Sequence, residues 1–176
     1  YANLCTEQLD KLVDAVTPKN PIGIDVGLIN LIKLDNGESI APPKFFRKSQ
    51  EKLAVAQRRL SHKKKGSNKR RKQKAVVNKI HEHIAEQRRD FNHKLSRMLV
   101  TRFDFIAVEG LNIQNMLRNH CLAKSISDAS WSQLISFTRY KAENAGIIVE
   151  DVDARGTSQT CSGCDCIVKK DLSERM

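Results

Sequence analysis

Pro21-Ile22-Gly23-Ile24-Asp25-Val26-Gly27-Leu28-Ile29-Asn30 is the stretch that decides the fold. Apolar residues alternate through it. Ile22, Ile24 and Val26 fall on one face of a strand, and Gly23, Asp25 and Gly27 on the other. A carboxylate in mid-strand is costly unless a cation or donors meet it. The glycines on either side leave room for a bulky anion, so Asp25 suits a Mg²⁺ ion that bridges to a phosphate. On this stretch alone, an ordinary polar residue near a strand end is the simpler reading.

Outward from it the pattern stays strand-like. Leu28 to Leu34 reads as a second strand, Asp35-Asn36-Gly37 as a hairpin turn, and Glu38 to Ala41 as a short return. Pro42-Pro43 then stops the sheet. Phe46, Leu53, Ala56 and Leu60 sit at helical steps, and Lys63 to Asn68 breaks that helix. A long helix follows from about Lys69 to Arg102, with Val77, Ile80, Ile84, Phe91, Leu95 and Met98 as its stripe. The two helices are expected to pair as a hairpin. Asp104 to Gly110 is a buried-type strand that puts Phe105, Ala107 and Glu109 on one face. Glu109 is thus a second acid ending a core strand beside a glycine, and two such acids point to a shared site. Gln114 to Ser127 reads as polar and irregular. Ser127 or Asp128 is placed to cap a helix running to Ala145, with Trp131, Leu134, Ile135, Thr138 and Ala142 inside. Gly146 ends it, and Ile147 to Val152 is the last strand.

The charge is local. Of the net +11, residues 44–102 carry 20 Lys and Arg against 4 Asp and Glu, while the remainder carries 11 against 16. Solvated helix faces usually mix both signs, so this bias points to polyanion binding, with nucleic acid first and an anionic membrane second. Aromatic residues make up only 5%, so base stacking is not the expected main contact. His81, His83 and His93 read as phosphate contacts or surface residues. No apolar run is long enough to span a membrane. Five cysteines, three of them at Cys161, Cys164 and Cys166, fit a reducing compartment with a metal site better than a disulfide framework. Cys161 and Cys164 form a C-x-x-C knuckle able to grip Zn²⁺ from one turn. With no clear fourth ligand before Met176, this reads as half of a zinc ribbon.

Six segments together resemble one family. They are Gly23-Ile24-Asp25-Val26-Gly27, Arg58-Arg59-Leu60-Ser61 through Lys65-Gly66, Gln87-Arg88-Arg89-Asp90-Phe91, Val108-Glu109-Gly110-Leu111-Asn112, Lys124 through Trp131, and Thr157 through Cys164. In this order they resemble the TnpB/OrfB proteins of insertion sequences, relatives of type V CRISPR nucleases. The resemblance implies an α/β, ribonuclease H-like (RuvC-like) mixed sheet with an inserted basic helical hairpin and a partial zinc ribbon. It divides the chain into a linker over 1–20, a nuclease domain over 21–159 with the basic insertion at 44–102, and half a zinc ribbon over 160–176. It implies an RNA-guided, Mg²⁺-dependent DNA endonuclease of a prokaryotic mobile element, cytoplasmic and nucleoid-associated, with Asp25 and Glu109 as catalytic Mg²⁺ ligands. Zn²⁺ would sit on Cys161 and Cys164. Guide RNA and DNA would meet Lys63, Lys64, Lys65, Lys69, Arg70, Arg71, Arg88 and Arg89, with no membrane partner.

The family pattern also holds a third catalytic Asp beyond a second zinc knuckle, and upstream recognition domains, none of which this stretch contains. Gly110 stands where an acid often follows the catalytic Glu, and Asp165 where a Gly is common. A truncated endonuclease is therefore the leading reading. A non-catalytic nucleic-acid-binding remnant is the second, and a basic helical adaptor for acidic proteins or lipids the third.

Overall fold

The computed structural model describes residues 18–152. The 1–17 portion of the linker, Asp153 and the Cys161, Cys164 and Cys166 knuckle lie outside the described residues. Five strands form one mixed sheet in the order β3-β2-β1-β4-β5. They are β1 (Pro21–Val26), β2 (Ile32–Leu34), β3 (Ser39–Ile40), β4 (Phe105–Glu109) and β5 (Ile148–Val152). β1, β2 and β3 pair antiparallel as a meander, whereas β4 lies parallel to β1 and β5 parallel to β4. The parallel pairings need long crossovers, and helices supply them. Between β3 and β4 run α1 (Phe45–Ser61) and α2 (Asn68–Arg102). Between β4 and β5 run α3 (Ile113–Met116), α4 (Ala123–Ala129) and α5 (Trp131–Ala145).

Alternation along the strands sorts the two faces of the sheet. Ile22, Ile24, Val26, Ile32, Leu34, Ile106 and Val108 are buried and pack under the C-terminal half of α2 and under α5. Leu95, Leu99 and Val100 come from α2; Trp131, Leu134 and Ala142 come from α5. A fully buried aliphatic side chain contributes about 1.5–3 kcal/mol, so this layer dominates the stability of the fold. The N-terminal half of α2 leaves the sheet and packs on α1 through a separate cluster of Leu53, Ala56, Val77, Ile80 and Ile84. At 1.5 Å per residue, α2 is about 50 Å long. It therefore serves two cores at once, and α1 with its half of α2 forms the paired helices expected from the stripe.

Several boundaries differ from the sequence reading. β2 is only three residues long. Residues 27–31 make a turn closed by the Gly27 N–H donating to Leu31 O at 3.2 Å, which buries Leu31 and leaves Ile29 71% exposed. The segment 114–127 is not irregular throughout, since α3 and most of α4 fall in it. The helix expected to start at Ser127 or Asp128 is broken at Ser130, whose φ of +51° is left-handed. Neither residue caps α5, which has no side-chain cap. Asp128 points instead toward α1.

Candidate active site and nucleic-acid interface

β1 and β4 run in parallel with Ile24 opposite Val108, so the next step of the register brings Asp25 level with Glu109. Both are odd-numbered in strands whose even positions are buried, and both therefore project from the face that α2 and α5 do not cover. Neighbouring strands lie about 4.8 Å apart. The two acids thus line one open cleft of about 720 Å³ together with Lys33, Asp35, Ala107 and Val152. Asp25 is exposed and Glu109 half-buried. Burial, and then the negative charge of Asp25, raises the pKa of Glu109 above the ordinary carboxylate value. Two acids this close favour a bound cation, and Lys33 is the one positive side chain among the described residues that lines the cleft with them.

The sequence had not singled out Lys33 or Asp35. Lys33 is the register partner of Asp25 on β2, a placement that the hairpin pairing carries implicitly. Asp35 receives a hydrogen bond from the Gly23 N–H at 3.0 Å. A Cβ on Gly23 would stand 3.3 Å from that carboxylate oxygen, and a Cβ on Gly27 would stand 3.0 Å from Asn30 O. Gly23 and Gly27, two positions either side of Asp25, thus serve close approaches within the protein itself. Among the described residues, no group of three or more His, Cys, Asp or Glu is arranged to hold a metal ion.

Glu109 also borders a second cleft, of about 810 Å³, between α5 and the segment after β4. Arg139 stands there, its Nη2 donating to both carboxylate oxygens of Asp151, with 2.6 Å to Oδ2.

The basic residues sort into two kinds. Lys63, Lys64 and Lys65 at the α1–α2 turn, with Lys69, Arg71 and Arg89 on α2, are exposed. Arg70 and Arg88 are partly buried and engage acceptors within the protein. Arg70 Nη1 donates to Leu60 O at 2.8 Å and to Lys63 O at 3.1 Å, tying the turn shut. Arg88 meets Asp128 Oδ1 through Nη2 at 2.8 Å and Nε at 3.2 Å. Asp128, only 6% exposed, also accepts from the Phe46 N–H at 2.9 Å and the Arg47 N–H at 3.4 Å. It therefore caps α1, not α5. His93, half-buried, stacks on Phe137 at 4.1 Å. The structure thus brings the acids together and leaves the basic tip at the far end of α2.

The family profile described as "Probable transposase" (OrfB/IS605) matches residues 3–120. The chain belongs to this family. A second profile, "Cas12f1-like, TNB domain", matches residues 131–176. A "Putative RNA-guided DNA endonuclease" of Streptomyces pristinaespiralis is 37% identical over 159 residues, covering 90% of this chain and 40% of the relative. A "Putative RNA-guided DNA endonuclease InsQ" of Escherichia coli K12 is 32% identical over 189 residues, covering 97% and 46%. This OrfB/IS605 chain thus spans less than half the length of either relative. The fold is similar to that of Cas12f1 in a solved complex with sgRNA and target DNA, at a TM-score of 0.56 and 17% identity over 88% of this chain and 41% of that one. A Cas12f ternary complex gives 0.57 and 19% over 90% and 33%. Among the described residues no helix is long and apolar enough to cross a membrane.

Proposed function

We propose that this chain forms the ribonuclease H-like catalytic core of an RNA-guided, Mg²⁺-dependent DNA endonuclease of a mobile element. The observation that carries the reading is the placement of Asp25 and Glu109 at adjacent register positions on neighbouring parallel strands, facing one cleft. Two oxygen donors with no cation between them suit a hard divalent ion that keeps most of its waters. When bound there, Mg²⁺ would supply a Lewis acid for a phosphodiester oxygen and an acidified water. The chain's own contribution is to hold the two carboxylates in register on rigid strands. Burial and the neighbouring Asp25 charge make Glu109 more basic than an ordinary carboxylate. The exposed lysines of the α1–α2 turn would hold guide RNA and DNA through backbone charge and shape, and Cys161 and Cys164 would hold Zn²⁺.

Titration of the chain with Mn²⁺ as a Mg²⁺ substitute tests the site. Asp25→Ala and Glu109→Ala should each weaken binding at least about tenfold, an order set by the loss of one of two anionic ligands. Metal affinity unchanged in both variants would end the reading. The second reading is a nucleic-acid-binding remnant without cleavage. It predicts salt-sensitive nucleic-acid binding with no metal-dependent cleavage under any guide.

A further inference from the structure

The strand registers line up one row of side chains across the open face of the sheet. Lys33 on β2 lies opposite Asp25 on β1. Asp25 is level with Glu109 on β4, and Glu109 lies opposite Val152 on β5. From β2 to β5 the row therefore reads cation, acid, acid, aliphatic, and all four residues line the first cleft. Neighbouring strands stand about 4.8 Å apart, so Lys33 is one strand away from Asp25 and two from Glu109. It stays on the open face because Ile32 and Leu34, on either side of it, are buried in the core. β2 pairs with β1 on one side and β3 on the other, which fixes the backbone of Lys33 while its side chain is exposed. Asp35, two positions along the same face, is engaged by the Gly23 N–H at 3.0 Å. Lys33 is uncommitted: among the described residues it joins no ion pair, and the pairs that form lie elsewhere. The neighbouring row sets Gly23 opposite Ala107, so the floor beside the two acids carries no large side chain there.

An ammonium so placed has two uses open to it. It can neutralise Asp25 across the strands, or it can meet an anion that comes to the acids. Once a divalent ion neutralises the two carboxylates, Asp25 has little charge left for Lys33, and the second use remains. A lysine ammonium binds phosphate as a compact point charge with three donors on a flexible stem. We propose that Lys33 is a phosphate-binding residue of the cleft: its ammonium donates to a non-bridging oxygen of the phosphodiester held beside Asp25 and Glu109. Lys33 takes this role on the endonuclease reading, which makes that phosphodiester part of a nucleic-acid backbone. It forms no covalent bond and transfers no proton. It supplies a fixed positive charge where negative charge grows as the phosphorus is attacked. The same charge opposes a metal ion on the adjacent acids. Lys33 therefore acts with opposite signs on the two ligands, weakening the metal and tightening the phosphate.

The whole 176-residue chain is titrated with Mn²⁺, read by electron paramagnetic resonance. At saturating Mn²⁺ it is then titrated with thymidylyl-thymidine, which carries one phosphodiester, read by relaxation of the phosphorus signal. Salt is kept at about 0.15 M to screen the exposed lysines of the helices. Lys33→Met should bind Mn²⁺ roughly threefold to tenfold more tightly, the scale of removing a unit charge ~6 Å from a divalent one in water. It should bind the dinucleotide about tenfold more weakly, as for losing a charge-assisted hydrogen bond. Lys33→Arg keeps the charge and should hold both affinities within about threefold of the parent. Lys48→Met, which removes an exposed charge on α1, should change neither. A dinucleotide affinity unchanged in Lys33→Met, or lowered equally in Lys48→Met, would overturn the proposal. So would weaker binding of both ligands in Lys33→Met, the mark of a residue that only supports its strand. Failure of the endonuclease reading shows separately, as Mn²⁺ affinity unchanged in both Asp25→Ala and Glu109→Ala. The metal-free dinucleotide affinity then decides: a loss of about tenfold in Lys33→Met supports a phosphate site at this residue, and no loss overturns it.

Discussion

Asp128 is the residue whose removal should cost the fold most for its size. α1 is preceded by Lys44, a residue with left-handed φ that makes no side-chain capping hydrogen bond, and its first turn carries no acid. The unpaired N–H groups of that turn are met instead by a carboxylate from α4, which binds Arg88 of α2 at the same time. One side chain thus pins the start of α1 and the middle of α2 to the helices that cover the sheet. Losing a cap costs about 1 kcal/mol. Breaking a buried ion pair from one side costs about 3–5 kcal/mol, but Arg88 is 20% exposed and can turn to water, so the low end applies. Because the two contributions share one carboxylate they do not add fully. Asp128→Ala should then lose about 3 kcal/mol, or roughly 6–12 °C in melting temperature for a chain of this size. Urea titration followed by the fluorescence of Trp131, the single tryptophan and 2% exposed, reads this directly. Asp128→Asn keeps an acceptor for the cap and should fall in between. In a double-mutant cycle with Arg88→Met the coupling should exceed about 1 kcal/mol. A loss below about 1 kcal/mol for the Ala variant, additive with Arg88→Met, would refute the argument that this carboxylate ties the paired helices down.

Other outcomes follow from the same geometry. The folded-state pKa of Glu109 lies above its unfolded value, so the native state binds the extra proton and stability falls as pH rises through that raised value. Glu109→Gln should therefore melt higher than the parent at neutral pH, with the gap closing as pH drops below the ordinary Glu range; a gap independent of pH would contradict it. Replacing Lys63, Lys64 and Lys65 by Ala should flatten the slope of log affinity for single-stranded DNA against log salt by about 2, at roughly 0.7 for each phosphate no longer neutralised, and an unchanged slope would remove the turn from the interface. Arg70→Ala should lose about 1–3 kcal/mol through its two carbonyl hydrogen bonds, seen as faster hydrogen exchange across the α1–α2 turn. Metal analysis after dialysis should return less than one zinc per chain, as befits two thiolates at Cys161 and Cys164; tight one-to-one zinc would show that the site has four ligands.

The acid pair was legible because it depends only on parity and strand order. Alternation fixes which face Asp25 and Glu109 occupy, whatever the exact strand ends, and a register slip of one residue would have buried both. The turn at Asp35-Asn36-Gly37 was legible for a similar local reason: Gly37 takes the φ of +88° that the bend requires. The break at Ser130 was not, since Ser-Trp carries neither glycine nor proline and the left-handed residue there is held by the packing of Trp131 into the core. The length of β2 was misread because Leu28 to Leu34 is apolar enough for a strand, while the Gly27–Leu31 turn that shortens it leaves no trace in hydropathy.

The basic residues show where counting charge stops being informative. Twenty cations in one segment set its electrostatic sign, but not which of them remain available to a partner. Arg70 and Arg88 look the same in sequence as Arg71 and Arg89, their immediate neighbours. One residue along a helix is a rotation of about 100°, enough to take a guanidinium from solvent to the carbonyls of the preceding turn or to a carboxylate 40 positions away. The same step separates the histidines, since His93 is half-buried against Phe137 while His81 and His83 stay exposed. Eighteen of the twenty are exposed and run along both helices, so the surface open to a polyanion is the whole arm, with Arg70 and Arg88 partly buried in it. Nothing in the arm's charge pattern fixes its orientation. The continuous α2, packed on the sheet at one end, and the Asp128 carboxylate that ties α1 and α2 to α4 do, which makes the geometry of the basic arm relative to the acid pair a tertiary property.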